Sequence, residues 1–185
     1  MVSARFGAAS LRIPDERQII EEDSKHFLSF NVMPSKLVTE ELFVKRYEVA
    51  MNFIRVIFDR QYTSEMRDSP NHYIFWSSLM QAQKMAYVYM CWRFGIAYDP
   101  HGEEEMKIWP MEVDCKLSGL LSATNDCIQD LHVQGLKWQG CRNGSGRVDM
   151  DLFTCTPGKE LLIRTTGAIY LPERQYQNCR AIDGD

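Results

Sequence analysis

The sequence contains no CxxC pair, no uninterrupted apolar run of membrane-spanning length and no cluster of lysine and arginine. Each absence excludes something. Without a CxxC or a regular Cys/His ligand spacing, a zinc ribbon or finger is not expected, and no metal is assigned from the sequence. A bilayer-spanning helix needs about 20 consecutive apolar residues, and charged side chains interrupt every candidate here. With 21 basic against 25 acidic residues the net charge is -4, so a basic nucleic-acid groove is not expected either. The first ten residues lack the continuous apolar core of a secretory signal. Repeats and low-complexity tracts are also missing.

What is there suits one ordinary globular domain of 185 residues, 45% hydrophobic and 25% charged. Six cysteines are scattered through the chain, several among apolar neighbours, as in Tyr89-Met90-Cys91-Trp92 and Leu152-Phe153-Thr154-Cys155. They read as reduced thiols used as small core residues, which implies a cytoplasmic protein.

Residues 1–33 are read as a polar N-terminal arm or a small helix capped near Asp15, and residues 34–185 as a single domain. The stretch from Leu37 to Asp59 has apolar residues at helical spacing. It also contains Phe53-Ile54-Arg55-Val56-Ile57-Phe58, rich in strand-favouring side chains, and is read as extended to about Arg60. A helix is predicted over Tyr73–Phe94, apolar on most of its circumference, with Gly95 as its C′ residue. Strands follow: Met111–Leu120, Cys127–Trp138, an alternating segment at Val148-Asp149-Met150-Asp151-Leu152, and Leu161–Tyr170. Asn143-Gly144-Ser145-Gly146 and Pro157-Gly158 supply turns between them. A buried helix followed by hairpin-linked strands predicts an α+β chain.

Two stretches resemble a known family. Asn71-His72-Tyr73-Ile74-Phe75-Trp76-Ser77-Ser78-Leu79-Met80-Gln81-Ala82, followed by Arg93-Phe94-Gly95-Ile96, is similar to the central helix of the A-factor (gamma-butyrolactone) biosynthesis hotdog domain. Thr165-Thr166-Gly167-Ala168-Ile169-Tyr170-Leu171-Pro172, with Tyr176 beyond, is similar to its last strand and exit. The likeness covers roughly residues 34–180 and extends more distantly to the beta-hydroxyacyl-carrier dehydratases. It implies a hotdog fold, in which a long central helix is wrapped by an antiparallel sheet, and a homodimer. It also implies an enzyme acting on acyl thioesters of acyl-carrier protein or coenzyme A in specialised-metabolite biosynthesis. The phosphopantetheine would be carried by the substrate, with no cofactor bound to the protein. Acyl transfer, condensation or cyclisation is the expected reaction. A dehydratase, a thioesterase and a non-catalytic acyl-binding module are the alternatives, and neither nucleic acid nor membrane is an expected partner.

The same resemblance nominates residues. His72 stands where the dehydratases place a catalytic histidine, and imidazole is a natural proton carrier near neutral pH. Ser77 occupies the position of a family glutamate and Met80 that of an arginine, so glutamate-driven chemistry at that position is not expected. Ser77, Ser78 and Gln81 are the remaining catalytic candidates. The serines sit near a helix N-terminus that favours developing negative charge, and the amide can bond a substrate carbonyl. Asn71, Trp76 and Met80 are candidate substrate contacts. Structural alternatives stand beside each: Asn71 as an N-cap, His72 as a loop residue, the serines as small spacers where helices meet, and Gln81 as a structural hydrogen-bonder. Asp149 and Asp151 read as a solvent-facing pair on one strand face, and Cys91 and Cys155 as core.

Overall fold

A computed structural model describes residues 11–21, 38–64, 75–96, 106–119, 125–142 and 144–172. Seven strands, β1 (Gln18–Glu21), β2 (Val38–Ala50), β3 (Phe53–Ser64), β4 (Lys107–Leu117), β5 (Cys127–Arg142), β6 (Ser145–Cys155) and β7 (Leu161–Pro172), accompany one helix, α1 (Phe75–Phe94). All strand pairings are antiparallel, in the order β1-β2-β3-β5-β6-β7-β4.

This corrects the expected fold class. The α+β hotdog architecture, a long central helix wrapped by a sheet, gives way, among the described residues, to a mostly antiparallel sheet of seven strands with a single helix packed chiefly against β3 and β5. The physical reason lies before the helix. The stretch from Leu37 to Asp59, read as extended to about Arg60, is extended over its described residues, and residues 38–64 form a long β2–β3 hairpin because alternating Leu42, Val44, Ile54, Val56 and Phe58 bury one face of it. The turn between the strands was not legible as such; Asn52 makes it by adopting a left-handed φ of 59°. Gln18–Glu21 adds a further strand on β2, so the arm contributes sheet rather than a small helix. A simple meander after the helix is also corrected. β5, β6 and β7 are consecutive neighbours, but β4 pairs with β7 at the far edge and β5 pairs with β3.

Several local expectations do match. α1 ends at Gly95, which takes φ 65° and donates to Trp92 O, while Ile96 N donates to Cys91 O at 2.8 Å. That double closure is the Schellman arrangement, and it needs a residue free of Cβ strain at C′. The β5–β6 hairpin turns at Gly144, φ 76°. The Pro157-Gly158 turn is closed by Lys159 N donating to Thr156 O at 2.9 Å.

One face of the sheet and α1 share the core. Met85, Ala86, Tyr89 and Met90 of the helix pack with Val56 and Phe58 of β3, Leu131 of β5, Val148 and Met150 of β6 and Ile169 of β7. Tyr89 also accepts a hydrogen bond at its Oη from Asn52 N at 3.1 Å, pinning the helix to the β2–β3 turn. At β7, Gly167 makes room for β4. A Cβ there would lie 2.5 Å from the Trp109 carbonyl and 2.7 Å from Met150 Cε, and the bulge between Pro110 and Glu112 sits opposite. Among the described residues no helix is long and apolar enough to cross a membrane. Five described cysteines are free thiols: Cys91 and Cys155 are buried, whereas Cys115 and Cys141 are exposed.

Candidate functional site

The first two turns of α1 carry three buried polar residues. Ser77 and Ser78 are 0% exposed and Gln81 is 1% exposed. Helical spacing puts Ser78, Gln81, Ala82, Met85 and Tyr89 on the face turned to the sheet. Beneath them, Gln129 on β5 is fully buried and donates from Nε2 to the Ser78 carbonyl at 2.9 Å. Gln129 is the register partner of Val56, so the strand pairing itself delivers this anchor to the helix start.

Ser78 Oγ, Gln81 Nε2 and Gln81 Oε1 are buried and have no hydrogen-bond partner among the described residues. Leaving a buried polar group unsatisfied costs about 1–3 kcal/mol, and native proteins avoid it with few exceptions. Here three such atoms occur within four residues of one helix. Gln81 holds a donor and an acceptor ready, and Ser78 an adaptable hydroxyl. No acidic residue lies in the first turn of α1. Arg60 continues the inward-facing series Val56, Phe58, Arg60 on β3 and is itself buried.

Cys127, the register partner of Phe58, is half-buried. Burial pushes its thiol up, with Arg60 acting in the opposite direction, so it is a neutral thiol rather than a ready nucleophile. At the same end of the sheet Lys45 bridges Asp59 at 2.9 Å and Asp126 at 2.8 Å, tying β2 and β3 to the start of β5. The Lys45 hydrogen bond, with the Asp126 N–H second, holds the Asp59 carboxyl below its ordinary range.

Of the sequence-derived candidates, the structure brings Ser77, Ser78 and Gln81 together. Met80 points away from them on the exposed side of α1, at 37% exposure. Trp76 is the second residue of the helix. Asn71 and His72 lie outside the described residues. Asp149 and Asp151 face outward as expected, and each is paired, with Arg147 at 2.8 Å and Arg164 at 2.7 Å. Sequence reasoning missed Gln129 and Arg60. Each is a polar residue at an inward position of an apolar strand, a signal legible only once the strand phase is known. No protein-family model matches the chain, and no curated protein matches it.

Proposed function

We propose that this protein acts on acyl thioesters, presented by acyl-carrier protein or coenzyme A, in specialised-metabolite biosynthesis. The observation that carries the reading is the buried Gln81 amide and Ser78 hydroxyl, which have no partner among the described residues. A thioester offers the complementary groups. Its carbonyl accepts from Gln81 Nε2 and Ser78 Oγ, and a pantetheine amide or a hydroxyl acceptor donates to Gln81 Oε1. The N-terminal end of α1 stabilises the negative charge that grows on the carbonyl oxygen as an acceptor adds to the carbon. The similarity of residues 71–82 and 165–172 to the A-factor biosynthesis family supports the same substrate class. Transfer, condensation or cyclisation fits better than dehydration, because Ser77 stands where that family carries a glutamate. Free thiols at all five described cysteines support a cytoplasmic setting.

The test is mass spectrometry of the purified protein incubated with β-keto and β-hydroxy acyl-carrier proteins and acyl-CoAs, with and without small hydroxyl or amine acceptors. Acyl loss from the carrier that depends on acceptor is the expected result, with Ser78→Ala and Gln81→Met slowing it at least about tenfold. An unchanged panel, with no acyl ligand retained, sinks the reading. A second reading, a non-catalytic acyl-binding module, is favoured by the lack of an acidic residue in the first turn of α1. It predicts ligand-dependent stabilisation without product.

A homodimer belongs to the same proposal. β4 is an edge strand of 11 residues that pairs only with β7 among the described strands. It leaves Trp109 66%, Met111 56% and Leu117 50% exposed. These exposed apolar side chains form a patch that a second copy covers. Light scattering of the purified chain should give twice 21.5 kDa; a monomer mass across the micromolar range rejects this part.

A further inference from the structure

The outer face of the sheet, opposite α1, carries a buried cluster that the acyl site does not use. Asp130 and His132 stand two residues apart on β5 and so share a face. The β5–β6 register sets Cys155 directly across from Asp130, and Phe153 across from His132. Asp130 is 2% exposed, His132 5% and Cys155 5%. One carboxylate oxygen, one imidazole nitrogen and the thiol sulfur all lie within 4.8 Å of one another.

We propose that Asp130, His132 and Cys155 form a three-ligand site for a single zinc-class divalent transition metal, clamping β5 to β6. The donor set decides the class of ion. A mixed oxygen, nitrogen and sulfur triad selects zinc or cobalt over the hard, all-oxygen preference of magnesium and calcium. The distances are within reach. With metal–sulfur near ~2.3 Å and metal–nitrogen near ~2.0 Å, tetrahedral ligand atoms lie about 3.5 Å apart, so the side chains need close by roughly 1 Å.

The surroundings are arranged as supports. Arg55 donates from Nε to Asp130 Oδ1 at 2.7 Å and from Nη2 to Oδ2 at 2.8 Å. A carboxylate has about four lone-pair sites, so two remain for an ion while Arg55 orients the group, as outer partners of metal ligands do. The Phe53 ring, 5.1 Å from the imidazole centroid and tilted by 59°, sets the plane of His132. On binding, the Sγ–H bond breaks, an Sγ–metal bond forms and the proton passes to solvent. A small exogenous ligand such as water completes the fourth position.

The experiment uses the full chain, reduced and stripped with a chelator, titrated with Co2+ alone. One equivalent should bind with a near-ultraviolet thiolate-to-cobalt band and intense tetrahedral visible bands. Cys155→Ser should abolish the near-ultraviolet band. His132→Phe, which keeps an aromatic ring beside Phe53, should weaken binding by at least about tenfold while circular dichroism stays unchanged. A Cys115→Ser, Cys141→Ser double variant, which removes the exposed thiols, should keep the band. No band in the folded wild-type chain overturns the proposal. So does a band that survives Cys155→Ser, or one of unchanged affinity in His132→Phe.

Discussion

Replacing Gln81 with methionine is expected to raise the stability of the folded protein by about 1–3 kcal/mol and, on the proposed function, to slow acyl transfer at least about tenfold. The two effects have one cause. In the unfolded chain the Gln81 amide is hydrated; in the fold it is 1% exposed and neither Nε2 nor Oε1 has a partner among the described residues. Methionine has nearly the same length and helix propensity, so packing against the core and the helix itself are little disturbed. Removing the amide therefore removes a desolvation cost and leaves shape in place. A residue kept for binding at the expense of stability behaves in this way, whereas a residue kept for structure loses stability when replaced. Urea denaturation reads the difference as a higher midpoint at unchanged slope. A lower midpoint would mean that the amide has a structural partner, and the carbonyl-binding role would fall with it.

Arg55→Met should act in the opposite sense and more strongly, costing about 3–5 kcal/mol. Arg55 makes a two-pronged bond to Asp130, whose side chain is 3% exposed, and its guanidinium stacks 5.8 Å from the centre of the Phe53 ring. Methionine preserves much of the apolar contact with Phe53 but strands a carboxylate away from water. The size of the penalty comes from that stranded charge rather than from the net worth of the pair. The double replacement Arg55→Met with Asp130→Leu should therefore recover most of the loss, since exchanging a buried pair for packed apolar groups is often close to neutral. Both measurements belong in chelator, so that no ion substitutes for the arginine. Additive losses in the double variant would refute the coupling.

By itself the sequence determined the periodic elements. The apolar circumference of Tyr73–Phe94 and the glycine at 95 define the helix and its end, and the alternation at Val148–Leu152 defines a strand with its inward face. It also placed Ser77, Ser78 and Gln81 on one short stretch of helix, because residues three and four apart must meet. Tertiary structure decided everything that depends on pairing. Residues 38–64 satisfied helix and strand patterns alike, and became a hairpin because both strands could bury one face against the helix and close their ladder bonds. β4 was legible as a strand, but its place at the far edge follows from long-range pairing with β7, where Gly167 lets the two backbones approach. Gln129 reaches Ser78, and Cys155 reaches Asp130, across separations of 51 and 25 residues (129 − 78 and 155 − 130). No local pattern encodes such meetings: strand register is chosen by the burial of whole faces at once, and it alone determines which side chains end up across from one another.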